Sequence, residues 1–279
     1  MLISEAFDAY KRNYIDMRHQ SRRIRETHEV CKRFLIQQFG DKDIADLTVD
    51  DVSNFAKELE KSRSINTVRC YLTRIRVVAE YMALLDVPSI KAALIPIPKR
   101  RESVPVFLTA QEVEAMINCA YNARNAFVIS LLYSSGIRLS ELISLNRGQI
   151  VDRRFTVIGK GGKVRLCFID KRTEELMEAY LSKREDKADA LVVSAKNKAR
   201  MTPTNIQLLI HNSAKRAGIT KKVTPHTLRH SFATNFLRNN GNMRYLSTML
   251  GHASLDTTMM YAHVVDNDLQ AQYEKYHTI

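Results

Sequence analysis

One segment of the chain combines residues that are suited to binding an anion. The run Thr224 to His230 reads Thr-Pro-His-Thr-Leu-Arg-His, and it has the form of a helix start with Thr224 as N-cap and a proline in the first turn. His226 and Arg229 are three residues apart, so they share one face of that helix. This face lies at the positive end of the helix dipole, where an anion is favoured.

Two other interpretations apply to the histidines of this segment. His226 and His230 stand four residues apart and could hold a metal ion, but the segment lacks the glutamate of the His-Glu-x-x-His motif. A purely structural role for His226 is the default if no other residues converge on it. We predict no metal site in this protein.

A glycine-rich run, Gly159-Lys-Gly-Gly-Lys163, presents two ammonium groups on a turn. A phosphate-binding P-loop needs a glycine five positions before its Gly-Lys and a serine or threonine after the lysine, whereas Val157 and Val164 occupy those places. The P-loop interpretation is therefore rejected. Lys160 and Lys163 remain as donors of positive charge and of a proton.

The elements that position these residues are mostly helical. The β-rich runs 155–158 and 164–169 flank the glycine-rich turn and predict a hairpin with a loop longer than two residues. Thr109-Ala-Gln-Glu112 is a capping-box pattern that predicts a helix start. Further predicted elements are helices at about 122–135, ended by Gly136, and at about 173–184, a short strand at 191–193, and helices towards the end of the chain.

The first third of the chain also predicts helices. Thr48-Val-Asp-Asp51 is a capping box that opens a helix through about Lys61. A second helix follows, because apolar residues recur at helical spacing: Val68, Leu72, Ile75, Ala79 and Met82. Arginines that could follow DNA phosphates, or equally form a solvated helix face, are Arg22, Arg23, Arg25, Arg69 and Arg74.

A proline-rich and basic segment, 95–106, separates two parts of the chain. Its prolines disfavour helix and its charges keep it solvated, so we predict an interdomain linker. The predicted domains are then 1–94 and 107–279.

Composition narrows the function class. Lys and Arg number 43 against 30 Asp and Glu, a net charge of +13, which favours nucleic acid over an acidic membrane surface as partner. No apolar run is long enough to cross a bilayer, and the N-terminus is too polar for a signal peptide. The four cysteines form no Cys-x-x-Cys pair, so we expect no disulfide framework and a cytoplasmic location.

Five segments, taken in chain order, resemble the motif boxes of the tyrosine recombinase (phage integrase) family. They are Gly136-Ile-Arg138-x-Ser-Glu141, Gly159-Lys160-Gly-x-Lys163, His226-x-Leu-Arg229-His230, Leu250-Gly-His252 and Tyr261. Arg229 follows His226 by three residues, His252 follows Arg229 by twenty-three, and Tyr261 follows His252 by nine, spacings similar to those of Xer-type members. The resemblance implies a mainly α fold with a small β-sheet. It also implies an N-terminal helical core-binding (SAM-like) domain and an α+β catalytic domain, with no arm-binding domain.

The resemblance also implies how the residues share the chemistry. Arg138 and Arg229 would clamp the scissile phosphate, since a guanidinium is always charged and offers a fork of donors. Tyr261 would attack phosphorus and form a 3′-phosphotyrosyl link. Neither ATP nor another cofactor is expected, because the covalent link conserves the energy of the broken ester.

The remaining site residues would move protons and hold the phosphate. His226 and His252 have imidazoles that titrate close to neutral pH. Lys160 would protonate the leaving 5′-hydroxyl, with Lys163 as the alternative. Glu141 would orient its neighbours, and His230 would be mainly structural.

The partner implied by the resemblance is double-stranded DNA with inverted-repeat core sites. Four protomers would assemble on two sites, exchange C-terminal helices and pass through a Holliday junction, with an accessory protein or a second recombinase as a further option. The biological role would be that of an Xer-like resolvase or a mobile-element integrase acting on nucleoid DNA. Two alternatives stay open: a type IB topoisomerase-like nicking-closing enzyme, and a DNA-binding protein without catalysis.

Overall fold

The computed structural model describes residues 1–99, 106–159 and 162–251. Contacts divide the chain into two compact units, Met1–Ser103 and Val104–Ile279. The described residues form mainly helices and one two-stranded sheet, as the sequence predicts. None of the helices in the described ranges is both long enough and apolar enough to cross a membrane.

The N-terminal unit contains four α-helices among its described residues. They are α1 (Ile3–Tyr10), continued by a π-helical segment (Lys11–Asp16), α2 (Arg22–Phe39), α3 (Val49–Glu60) and α4 (Ile65–Leu84), with short 3-10 turns at Ile44–Asp46 and Ala92–Leu94. α3 starts with the predicted capping box, in which Thr48 Oγ1 accepts from the Asp51 N–H and Asp51 accepts from the Thr48 N–H, each at 3.1 Å. All five apolar residues predicted along α4 are buried in the unit's core.

The described part of the C-terminal unit has seven α-helices and one hairpin. They are α5 (Ala110–Asn118), α6 (Ala123–Ser135), α7 (Leu139–Ser144), β1 (Arg154–Ile158), β2 (Val164–Phe168), α8 (Lys171–Leu181), α9 (Pro203–Arg216), α10 (Pro225–Arg238) and α11 (Met243–Leu250). The predicted capping box at Thr109 is present, with Thr109 Oγ1 accepting from the Glu112 N–H at 3.2 Å. α6 is central because it is buried around most of its circumference and contacts α5, α8 and α10.

The hairpin pairs its two strands antiparallel, with Phe155 opposite Cys167 and Ile158 opposite Val164. The connecting segment 159–163 is longer than two residues, which confirms the prediction. Exposed and buried side chains alternate along both strands, so one face packs on the core and the other faces solvent.

The predicted strand at 191–193 is wrong. Leu191 donates to the Leu145 carbonyl at 2.9 Å, while Val193 donates to the Tyr180 hydroxyl at 3.2 Å. The segment therefore bonds to several different neighbours instead of one strand, and only isolated bridges form beside it. Its apolar side chains are buried, and this burial accounts for the strand-like composition.

Candidate active site

The start of α10 follows the predicted capping pattern. Thr224 Oγ1 accepts from the Thr227 N–H at 3.2 Å, and Pro225 occupies the first helical position. This start places His226 in the first turn and Arg229 one turn further. The sequence thus sets the local geometry of both residues without tertiary contacts.

Arg229 is buried, with 5% of its surface exposed. Its Nη1 donates to the Gly136 carbonyl at 2.6 Å, and its Nη2 donates to the Leu250 carbonyl at 2.7 Å. Gly136 caps α6, and Leu250 is the last residue of α11. One guanidinium therefore joins three helices and is held in a fixed orientation.

Gly136 lets α6 end directly beneath α10. Its φ is +61°, which is the left-handed region that favours glycine, and a Cβ there would overlap the Phe232 ring. The glycine stop predicted from the sequence is confirmed. It also brings the Gly136 carbonyl within reach of Arg229.

Arg138 lies two residues beyond that stop, at the N-cap of α7. Its Nη1 donates to Glu141 Oε1 at 3.0 Å, and its Nη2 lies 3.5 Å from the Gly251 carbonyl. Its side chain is 30% exposed, so the guanidinium still faces solvent. Arg138 and Arg229 thus both bond to the end of α11, through the adjacent carbonyls of Gly251 and Leu250.

Glu141 is buried, with 4% of its side chain exposed. Burial would raise the pKa of its carboxyl, but bonds from Arg165 and from the Arg138 N–H and side chain outweigh burial, and the pKa is lowered. Glu141 is therefore an ionised carboxylate that touches two arginines. The orienting role of Glu141 stays a prediction.

Arg165 is a site residue that the sequence analysis missed. Its Nη1 and Nη2 donate to the two Glu141 oxygens at 2.7 and 2.6 Å, and its Nε donates to the Met249 carbonyl at 2.7 Å. Its side chain is 7% exposed, on the inner face of β2. The alternation along the strand was the available signal, because a charge on the apolar face of a strand requires a partner.

The base of the hairpin loop lies beside these guanidiniums. A Cβ on Gly159 would stand 3.5 Å from Arg165 Nη1 and 3.8 Å from Arg138 Nη1. The Gly159 N–H donates to the Lys163 carbonyl at 2.8 Å, which closes the loop, and Lys163 is exposed. The loop that carries both lysines therefore begins and ends near Arg138.

Both histidines of α10 lie in a positive environment. Partial burial lowers the pKa of His226, and the neighbouring Arg229 and Arg138 lower it further. Burial lowers the pKa of His230 to about 4, with further contributions from His226 and Arg229. Both imidazoles are therefore neutral at pH 7, and no third His, Cys, Asp or Glu joins them as a metal ligand within the described ranges.

Three predicted site residues, Lys160, His252 and Tyr261, lie outside the described residues. The two last follow Gly251 along the chain, and the carbonyls of Leu250 and Gly251 are those that Arg229 and Arg138 contact.

The five arginines predicted to contact DNA lie on two packed helices of the N-terminal unit, α2 and α4. Arg22 and Arg23 are exposed, and the other three are partly exposed. Arg22 pairs with Glu26 at 2.6 Å, and Arg25 lies 3.3 Å from Asp16. These pairs are at the surface, so the guanidiniums can exchange partners.

The described part of the site is suited to binding an anion. Arg138, Arg165 and Arg229 carry three positive charges against the single charge of Glu141. The two neutral imidazoles add hydrogen-bonding groups without adding positive charge. The excess charge and the exposure of Arg138 favour an anion that binds at Arg138.

The chain is similar to known proteins over most of its length. The model of the phage integrase family matches residues 106–268. Tyrosine recombinase XerD of Oceanobacillus iheyensis is 33% identical over 242 residues, covering 81% of this chain and 81% of that protein. Tyrosine recombinase XerA of Pyrococcus horikoshii is 34% identical over 237 residues, covering 82% of this chain and 80% of that protein.

A solved structure extends the similarity to the fold. An integrase of transposon Tn1549, in complex with transposon right end DNA, matches with a TM-score of 0.79 and 18% identity, covering 99% of each chain. At this identity the match shows a shared fold.

Proposed function

Because the chain belongs to the phage integrase family and is a tyrosine site-specific recombinase, we propose that it cleaves DNA through a 3′-phosphotyrosyl intermediate formed by Tyr261. The observation that carries this mechanism is the anchoring of Arg229 by the carbonyls of Gly136 and Leu250. It fixes a permanent positive charge where three separate segments meet.

Arg138 and Arg229 bind the non-bridging oxygens of the scissile phosphate. Negative charge grows on these oxygens as the nucleophile attacks, so donors that are already oriented stabilise the transition state more than the ground state. Arg229 is oriented by its two carbonyl bonds, and Arg138 by Glu141. The solvent-facing side of Arg138 is where the phosphate enters.

Tyr261 supplies the phenolic oxygen that attacks phosphorus. A new bond forms between this oxygen and phosphorus, the bond from phosphorus to the 5′-oxygen breaks, and the phenolic proton is transferred to a base. His226 is suited to accept this proton or to donate a hydrogen bond to the phosphate, because its lowered pKa keeps it neutral at pH 7. His252 shares this work, as the next residue after the Gly251 carbonyl that Arg138 contacts.

The 5′-oxygen leaves as a hydroxyl after protonation by Lys160, with Lys163 as the alternative donor. The position of the hairpin loop beside Arg138 supports both assignments. Rejoining reverses the steps when the 5′-hydroxyl of another strand attacks the phosphotyrosine, which yields a Holliday junction. One phosphate ester is exchanged for another, so the chemistry proceeds without ATP.

The substrate is double-stranded DNA with inverted-repeat core sites. Residues 1–94 act as a core-binding domain, 95–106 as a linker, and 107–279 as the catalytic domain. Phosphate contacts from α2 and α4 involve Arg22, Arg23, Arg25, Arg69 and Arg74. The net charge of +13 and a DNA-bound integrase of the same fold support this partner.

Four protomers assemble on two sites, and the C-terminal segment after Gly251 connects neighbours. An apolar groove of about 230 Å³ beside Met249, bordered by Phe168, Phe232 and Phe236, gives such a segment a place to pack. The XerD and XerA relatives support the role of an Xer-like resolvase in the cytoplasm, with mobile-element integration as the second candidate.

The experiment starts from a library of duplexes with randomised inverted repeats. Purified protein is incubated with the library, covalent adducts are trapped with detergent, and the attached strands are sequenced. We expect enrichment of a palindromic site with protein on the 3′-phosphate, and no adduct from Tyr261→Phe although it still binds the enriched site. Adducts that persist in Tyr261→Phe would reassign the nucleophile.

The same material separates the alternatives. A topoisomerase-like enzyme relaxes supercoiled plasmid that lacks the enriched site. A DNA-binding protein without catalysis enriches a site in a binding selection and never forms an adduct.

A further inference from the structure

We propose that Arg165 is a positioning residue of the recombination reaction, an inference that rests on the proposed function of Arg138 and Arg229. Arg165 would neutralise Glu141, so that Arg138 keeps its charge for the phosphate. It would also hold the lysine-bearing hairpin in register with the end of α11. Arg165 donates three hydrogen bonds to segments that are distant in the chain.

Glu141 places a negative charge beside Arg138. Glu141 is ionised and buried, and its Oε1 lies 3.0 Å from Arg138 Nη1. A carboxylate at this distance competes with a phosphate for the guanidinium, because the Coulomb attraction between unit charges is strong in a buried site. Arg165 contacts both Glu141 oxygens, at 2.6 and 2.7 Å, and so takes most of that attraction.

Arg165 also connects three segments of the fold. Arg165 Nε donates to the Met249 carbonyl at 2.7 Å, so one side chain joins β2, α7 and the end of α11. Gly251 packs against the stem of Arg165, since a Cβ there would lie 2.9 Å from Arg165 Cδ. Its φ of +63° also favours glycine. Met249 and Gly251, which precede His252, therefore contact the Arg165 side chain directly.

Arg165 lies on the strand that follows the hairpin loop. Arg165 is two residues beyond Lys163, and the Gly159 N–H bonds to the Lys163 carbonyl at 2.8 Å. A shift of Arg165 moves the strand that closes the loop, and with it Lys163. Proton transfer to the leaving oxygen needs placement to within hydrogen-bond distance, so such a shift slows cleavage.

A purely structural ion pair is the competing explanation. Buried ion pairs contribute little net stability compared with apolar residues of equal size, but removing one partner leaves an uncompensated charge. The matched control is the Arg184–Asp186 pair, whose side chains are 4% and 9% exposed and whose arginine also donates to the Ala190 and Leu191 carbonyls. It lies in the same unit, and its hydrogen bonds to described residues do not include any residue of the candidate site.

The test compares Arg165→Met, Arg165→Lys, Glu141→Gln/Arg165→Met and the control Arg184→Met. Single-turnover formation of the covalent adduct is measured on a nicked duplex that carries the enriched site. Melting temperature and DNA affinity are measured for each variant, and rates are normalised to the folded fraction. The double variant keeps the test possible if Arg165→Met folds poorly, since it leaves no unpaired buried charge.

We expect Arg165→Met to slow adduct formation by about 10- to 100-fold, with DNA affinity within about 3-fold of the original protein. Arg165→Lys should cleave faster than Arg165→Met but more slowly than the original protein, because lysine supplies the positive charge but not the paired donors of a guanidinium. Glu141→Gln/Arg165→Met should cleave faster than Arg165→Met, because the amide oxygen still accepts a hydrogen bond from Arg138 but no negative charge competes with the phosphate. Arg184→Met should lower the melting temperature and leave the normalised rate unchanged.

The proposal is wrong if Arg165→Met cleaves at the original rate once folded, or if the double variant is no faster than Arg165→Met. It is also wrong if Arg184→Met slows cleavage equally. A failure of the proposed function gives a different result, namely adducts formed by Tyr261→Phe.

Discussion

In the N-terminal unit, the arginines assigned to DNA lie on the surface of α2 and α4, whereas those of the C-terminal unit's site are tied into the fold. The Arg22 side chain is 91% exposed and meets one carboxylate, that of Glu26 in the next turn. Arg229, by contrast, is buried and donates to backbone carbonyls of two other helices. An arginine side chain can therefore change partners in the N-terminal unit, whereas in the site of the C-terminal unit it is held in one orientation.

The difference fits the role proposed for each group of arginines. Phosphates along a duplex are repeated and tolerate adjustment, so a flexible surface arginine serves well and its ion pair contributes little. A transition state has charge on particular oxygens, and donors fixed beforehand stabilise it without reorganising. We therefore expect substitutions of buried site arginines to affect rate, and those of surface arginines to affect binding.

The largest expected effect comes from Arg229→Ala. Removing one fixed oxyanion donor costs about 100- to 1,000-fold in rate in other enzymes, so adduct formation should fall by this factor at saturating DNA. Arg22→Ala is the matched surface control and should cleave at the original rate once the DNA is saturated. Single-turnover cleavage of the nicked duplex measures both, and original-rate cleavage by Arg229→Ala would remove it from the clamp.

A second effect is the loss of stability in acid through His230. Burial lowers the pKa of His230 to about 4, while an unfolded histidine titrates near 6.5. Between these values the unfolded chain binds the extra proton, so the free energy of unfolding falls as pH decreases from 7 towards 4. The loss should be about 1 to 2 kcal/mol after allowance for solvent screening.

Urea denaturation across this pH range measures the change. His230→Gln should flatten the dependence, and a slope equal to that of the original protein would contradict this assignment.

The helix caps should give similar effects in both units, in contrast to the arginines. Thr48→Ala and Thr224→Ala each remove a side-chain acceptor from a helix start and should cost about 1 kcal/mol. Amide hydrogen exchange of α3 and α10 resolves each unit separately. A loss confined to α10 would mean that the α3 cap is already weak.

The smallest effect is expected from Arg23→Ala. DNA affinity should fall by about 2- to 5-fold. The slope of log affinity against log salt should become shallower by about 1, the amount that corresponds to one lost phosphate contact. The rate of adduct formation at saturating DNA should not change. An unchanged salt slope would place Arg23 away from the duplex.

Much of the local structure was predictable because it depends on neighbouring residues. Thr48 and Thr109 cap their helices with the residue three positions later, and Gly136 ends α6 through its own backbone preference. The hairpin at 155–168 also follows from strand composition around a glycine-rich turn. Segment 191–193 was mispredicted because its apolar residues are buried by distant elements that offer no continuous strand to pair with.

Arg165 shows the limit of the same reasoning. Its position on the inner face of β2 was readable from the strand alternation, but its partners are Glu141 on α7 and the Met249 carbonyl on α11. Nothing in the local sequence specifies which carboxylate or carbonyl meets a buried guanidinium. That choice depends on how the elements pack.

The sequence by itself determined the helix starts, the hairpin and the types of group available for phosphate chemistry, because caps, turns and side-chain chemistry act over a few residues. Only the tertiary structure decided that Arg165 meets Glu141 and that Arg138, Arg165 and Arg229 all reach backbone carbonyls at the end of α11. These contacts join residues far apart in the chain, and their geometry follows from the packing of α10 against both α6 and α11.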